Sequence, residues 1–260
     1  MGAGASSPPV TCLSCPRLLT YLLLAPRAAF RAKTLFTPYF RSFTNIDPTY
    51  RGKTFVANPR LFRSDLALYF PNLQGLTLAD ASAPQDTTPV LCGRVSVVTL
   101  YSSRWGEEQA QTWVDGQQNP RVEQALREAP EGVAQKVDIN VEENPLKAGI
   151  LKLFFFNLRR QRPVEEHGRY FVVRRGVSHS IRETIGLVNE KVCYVYLLDR
   201  NCKIRWAGSG DATPEEKESM AKGLRKLIYE AQSRNGAESA EQVLKEDLEG
   251  RAAAAAAATS

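Results

Sequence analysis

Histidine is almost missing from this chain, with His167 and His179 its only two. That scarcity narrows the chemistry a site could run, because imidazole is the usual side chain for acid–base work near neutral pH and a common metal ligand. Acid is missing from the first 46 residues, which hold Arg17, Arg27, Arg31, Lys33 and Arg41. Those five carry most of the formal charge of +6, and the rest of the chain sets the other 29 of 34 basic residues against all 28 acidic ones. A body so nearly neutral has no phosphate-binding footprint, which argues against a nucleic-acid partner. Long hydrophobic runs are missing too: Leu18–Ala25 is far too short to span a bilayer.

What is present divides into four parts. Residues 1–35, Arg-containing, acid-free and rich in Ser, Ala and Leu, read as a mitochondrial transit peptide. A secretory h-region fits less well, since only Arg17 precedes the apolar run and basic residues continue after it, while a plastid address shares the same composition. Residues 36–94 read as an extended lead-in, broken by Pro38, Pro48, Pro59, Pro71, Pro84 and Pro89. Residues 95–232 carry regular patterning. Residues 233–260 turn polar and acidic, end in a run of seven alanines, and read as a mobile tail.

The patterned region is organised around Val192–Gly210. Val192–Leu198 is a continuous apolar run, fit for a strand covered on both faces. Asp199-Arg200-Asn201-Cys202 is turn chemistry. Lys203–Ala207 alternates, predicting Ile204 and Trp206 on one face and Arg205 on the other. Thr213-Pro214-Glu215-Glu216 is a capping box, and Met220, Leu224, Leu227, Ile228 and Ala231 form the stripe of the helix it opens. Upstream, Val95–Tyr101 predicts a strand. Glu107–Asp115 and Pro120–Ala129 predict a helix broken near Gly116, and Lys136–Val141 a second strand. A helix is predicted from Asn144, a short strand over Tyr170–Val173, and a further helix opened by Ser180-Ile181-Arg182-Glu183. This order predicts an α/β, thioredoxin-like fold: a mixed central sheet with flanking helices.

Such a fold does redox chemistry with a low-pKa Cys at the start of its first helix. Here that place reads Tyr101-Ser102-Ser103-Arg104-Trp105-Gly106-Glu107, without Cys, and no Pro stands before the third core strand near Val192-Cys193. Cys12 and Cys15 form a lone CxxC inside the expected transit peptide, a weak zinc signal without a second ligand pair. Cys193 reads as a core thiol, and Cys202 as partly exposed. Gly176-Val177-Ser178-His179 lacks the closing Gly of a nucleophile elbow and precedes a helix cap rather than following a strand. The expectation is therefore no enzyme and no cofactor. The enzyme-class alternative is a divergent thiol oxidoreductase or peroxidase using Cys92 or Cys202.

Six arginines between Arg159 and Arg175, against Glu165 and Glu166, follow Leu151-Lys152-Leu153-Phe154-Phe155-Phe156. This reads either as a solvated basic loop beside a core helix or as a docking surface for an acidic or membrane-embedded partner. Arg174 and Arg175 are the expected contact residues there. Asn189, Arg205 and Trp206 are the expected contacts at the hairpin, where Arg205 is expected to point outward near the end of the sheet that redox relatives use. Trp206 in the core, with Arg205 paired to an acid on the last helix, is the other reading.

Arg169–Gly176, Ile181–Asn189, Val195–Asp199, Val137–Asn144 and above all Ile204-Arg205-Trp206-Ala207-Gly208-Ser209-Gly210 carry a resemblance. From about Gly52 to Gln232 the chain resembles the mitochondrial ATPase complex subunit ten family. The resemblance implies an assembly factor of the Fo sector of ATP synthase at the matrix side of the mitochondrial inner membrane. Its implied role is to chaperone the proton-channel subunit before that subunit joins the rotor ring, with peripheral membrane attachment and no small-molecule substrate. Cys193 stands where a smaller residue, often Gly, is expected in the family.

Overall fold

The computed structural model describes residues 52–142, 151–174, 177–189 and 191–233. The expected transit peptide, the helix start at Asn144, Arg175 and residues 234–260 of the expected tail lie outside the described residues. The strands are β1 (Gln74–Thr77), β2 (Gln85–Asp86), β3 (Val95–Tyr101), β4 (Ala134–Val141), β5 (Tyr170–Val173), β6 (Tyr194–Leu198) and β7 (Ile204–Ser209). The helices are α1 (Thr88–Leu91), α2 (Arg104–Val114), α3 (Pro120–Glu128), α4 (Leu151–Gln161), α5 (His179–Ile185) and α6 (residues 214–233).

All seven strands join one sheet in the order β2-β1-β5-β4-β3-β6-β7. β3 runs parallel to β4 and antiparallel to β6, which pairs antiparallel with β7. That quartet, with α2 and α3 crossing from β3 to β4 and α6 following β7, is the thioredoxin arrangement expected from the element order. β5 adds a further parallel strand beside β4, and β1 extends the sheet antiparallel to β5. The lead-in thus supplies strands as well as connection, and it also buries Phe55, Phe70 and Leu73 in the core.

β3 is buried at all seven positions because both faces are covered. On one face Val98, Leu100, Val137, Ile139 and Phe171 pack under Ile185, Phe70 and Leu73. On the other, Val95, Val97, Val195 and Trp206 pack under Trp113, Met220, Leu224 and Leu227. Further along that second face, Phe155 and Leu158 of α4 meet Leu78, Tyr170 and Val172.

The hairpin differs from strict alternation. Leu197 opposes Trp206 while Leu198 opposes Ile204, so Arg205 is the extra residue of a bulge. A bulge changes the side-chain phase. Ile204 therefore packs on the first face and Trp206 on the second, rather than together. Trp206 lies edge-on to Trp113 with ring centroids 5.6 Å apart. A Cβ at Gly208 would lie 2.8 Å from the Trp113 ring and 3.0 Å from that of Trp206, so the glycine is required by that pair. The cap of α5 also differs by two residues: Ser178, not Ser180, accepts the hydrogen bond from the Ile181 amide.

Candidate functional site

The C-terminal ends of β3 and β4 meet the N-terminus of α2, the position at which this fold places a reactive thiol. Here Ser103 caps α2. Its Oγ accepts from the Gly106 amide at 3.0 Å and donates to the Lys191 carbonyl at 3.0 Å. The hydroxyl is thereby spent on holding the helix start against the segment before β6. Gly106 allows that approach, since a Cβ there would lie 3.2 Å from the Lys191 carbonyl oxygen. No cysteine stands at the start of α2, and there is no cis peptide bond among the described residues.

Beside this helix start lies a groove of about 310 Å3. Leu100, Val141, Val177, Leu187, Val192 and Tyr194 form its apolar part, and Ser102, Ser103, Glu142, Arg182, Asn189 and Lys191 its polar part. Asn189 shapes the wall: its amide donates to the Tyr194 hydroxyl at 2.8 Å, and its Oδ1 accepts from the Lys191 amide. Val188 beside it is 52% exposed. Arg174, exposed, follows β5 at the same end of the sheet, and the Glu142 amide donates to the Val173 carbonyl there.

Arg205 and Trp206 do not join Arg174 and Asn189. β6 and β7 run antiparallel, so Arg205 sits at the end of the sheet where β3 begins. That overturns the expectation that Arg205 points outward near the redox end. Its side chain is 9% exposed, 3.4 Å from both Asp199 and Glu230 of α6, with Nε donating to the Phe62 carbonyl. Trp206 is fully buried, and its Nε1 donates to the Asn58 carbonyl. Both therefore belong to the interior, the second of the two readings open from sequence.

The thiols are also displaced from the helix start. Cys92 ends α1 immediately before β3, and Cys202 lies in the β6–β7 turn. Both stand at the far end of β3, roughly 20 Å from Ser103 at about 3.3 Å per residue. Cys202 is 6% exposed and so buried, contrary to the expectation of partial exposure. Its carbonyl accepts from the Phe70 amide, and its φ of 59° is the left-handed region, within an Asp199-centred turn. Cys193 is fully buried, and burial pushes its thiol well above its ordinary range, suppressing the thiolate that redox chemistry needs.

Sequence reasoning missed a charged cluster between α2 and α4. Arg162 donates to Asp138 Oδ2, lies 3.9 Å from Glu107 and stacks 4.6 Å over the Tyr170 ring. Thr99 Oγ1 donates to the other Asp138 oxygen. Burial would raise the Asp138 carboxyl, but the Lys136 and Arg162 charges outweigh it and hold the group below its usual range. Glu107 goes the other way, because burial raises it more than Arg162 lowers it. The only sequence signal was an Asp between Val137 and Ile139 in a predicted strand.

The family model described as ATP10 protein matches residues 28–227. "Mitochondrial ATPase complex subunit ATP10" of Saccharomyces cerevisiae is 32% identical over 186 residues, covering 68% of this chain and 66% of that protein. Its namesake from Eremothecium gossypii is 32% identical over 199 residues, covering 75% and 71%. The match thus spans about two thirds of the length of these relatives. Among solved structures, a DsbF homologue from Corynebacterium diphtheriae aligns at 10% identity with a TM-score of 0.42, covering 66% of this chain and 93% of that one. A secreted thiol-disulfide isomerase from Corynebacterium glutamicum aligns at 12% identity with a TM-score of 0.41, covering 68% and 99%. The fold class rests on the strand order rather than on these alignments.

Proposed function

The chain belongs to the ATP10 protein family, and we propose that it acts in the assembly of mitochondrial ATP synthase, as a non-catalytic chaperone of the Fo sector. In this reading it works at the matrix side of the inner membrane. It holds the proton-channel subunit before that subunit joins the rotor ring. The observation that carries the non-catalytic part is Ser103, whose hydroxyl is engaged as cap and clamp where a thiol would have to stand. The groove beside it, apolar within and polar at the edge, suits a transient hold on a segment of a hydrophobic client. Arg174, Asn189 and Val188 are the contacts proposed at this end, with Arg175 their neighbour in sequence.

Arg174→Glu combined with Val188→Glu tests the reading. Both positions are exposed, so the thermal melt should stay at the wild-type value. Co-isolation with newly made proton-channel subunit should fall, and ATP synthase should accumulate without its Fo sector. Unchanged co-isolation and full assembly would contradict the assignment of the groove. A wild-type chain never recovered with newly made Fo subunits would contradict the chaperone role itself.

A further inference from the structure

α4 has an outer face that the chaperone reading leaves unused. The helix buries Phe155 and Leu158 and turns Phe156, Asn157, Arg159 and Arg160 outward. Phe156 is 60% exposed, and Val164, just past the helix, is 76% exposed. The Arg160 guanidinium lies 5.8 Å from the centre of the Phe156 ring. Arg159 donates through Nε to the Leu78 carbonyl, which holds its exposed side chain beside the sheet edge. Residues 151–164 contain no Asp or Glu, whereas Lys152, Arg159, Arg160 and Arg162 are basic. Arg162 is committed to Asp138, so among the described side chains the outward charge comes from Arg159 and Arg160.

From this arrangement we infer that the outer face of α4 seats the protein on an anionic lipid surface. The inference rests on the proposed action at the inner membrane and names the surface through which the protein rests there. Cations beside isolated apolar side chains are what a headgroup layer recognises, with charge drawn to the phosphates and the ring entering the acyl boundary. A fluid interface closes around the Phe156 ring without a preformed pocket, and the arginines beside it match the charge of an anionic headgroup layer. Stacking on Phe156 lets Arg160 cover the ring in water and leave it for a phosphate.

The test uses the full chain and sedimentation with phosphatidylcholine vesicles, with and without phosphatidylglycerol. The wild-type protein should bind the anionic vesicles, release with rising salt, and ignore pure phosphatidylcholine. Phe156→Ser with Arg160→Glu should keep the wild-type melt and lower partitioning about 25-fold or more, from about fivefold for each of two charge steps. Lys226→Glu on the outer face of α6 makes the same change of charge elsewhere and should bind like wild type. Equal loss in both variants would make the effect a matter of net charge and overturn the proposal. So would an unchanged double variant, or a wild-type chain that ignores vesicles. Capture of the wild type but not the double variant on poly-glutamate resin, with vesicles ignored, would assign the face to an acidic protein instead. Failed vesicle binding with intact co-isolation of the proton-channel subunit would overturn this inference alone. The reverse result would overturn the chaperone reading and leave this inference standing.

Discussion

The Ser103 hydroxyl lies 3.0 Å from the Lys191 carbonyl oxygen and donates to it, tying the first turn of α2 to the residues that lead into β6. Ser103 Oγ in turn accepts from the Gly106 amide. A structural cap thus stands where a thioredoxin-like enzyme keeps its reactive sulfur. Ser103→Ala should cost about 1 kcal/mol of stability in urea unfolding, the usual worth of a helix cap. It should leave ATP synthase assembly intact. Loss of assembly with normal stability would give the hydroxyl a chemical role.

Arg205 and Arg174 separate interior from surface. Arg205→Ala leaves Asp199 and Glu230 facing each other without their cation and the Phe62 carbonyl without its donor. A loss of about 3 kcal/mol is expected, as when one partner of a buried pair is removed. Arg174→Glu should change stability by about 0.5 kcal/mol or less. Chemical denaturation of the two variants side by side checks both values.

Asp138 gives a pH dependence with a definite sign. Its folded carboxyl is held below its usual range, so its stabilisation is complete above the unfolded value of about 3.9 and fades as pH falls through the folded value. Asp138→Asn should therefore be less stable than wild type by about 3 kcal/mol at neutral pH, because Arg162 loses its buried partner. The gap should narrow below about pH 4. Glu107 has the opposite sign, since its raised value favours the folded state at low pH and opposes it once ionised. Melting curves from pH 3 to pH 8 would show both trends.

Glu216 pins the lead-in to α6. Its carboxylate accepts from Lys53 Nζ at 2.5 Å, from the Ala57 amide at 2.8 Å and from the Thr213 amide at 3.0 Å. Glu216→Ala leaves the Lys53 ammonium, 7% exposed, without its counter-ion, with the Asp211 carbonyl still accepting from it at 2.7 Å. The expected cost is about 3 kcal/mol. Limited proteolysis should then cut within residues 52–62 before the rest of the domain, and uniform resistance would contradict this account of the strap.

Much of this fold was legible in sequence because its signals are local. Val95–Tyr101 and Tyr170–Val173 form strands over those same residues, and the Thr213–Glu216 box caps α6 as its spacing predicts. Arg205 was harder, because a one-residue bulge is a property of strand pairing and leaves no mark on hydrophobic alternation. Cys202 was misplaced for a similar reason: its burial comes from Phe70, more than a hundred residues earlier, crossing the turn. The Asp138–Arg162 pair joins β4 to the far end of α4, a contact that no short pattern encodes.

The most direct test of the central claim, that the protein assists assembly without thiol chemistry, is a chain with all five cysteines replaced, Cys92, Cys193 and Cys202 among them. Introduced into cells lacking the wild-type chain, it should restore assembled ATP synthase to the wild-type level, as read from native gels, with its melt confirming a folded domain. A folded cysteine-less protein that fails to restore assembly would contradict the account and return the function to redox chemistry at Cys92 or Cys202.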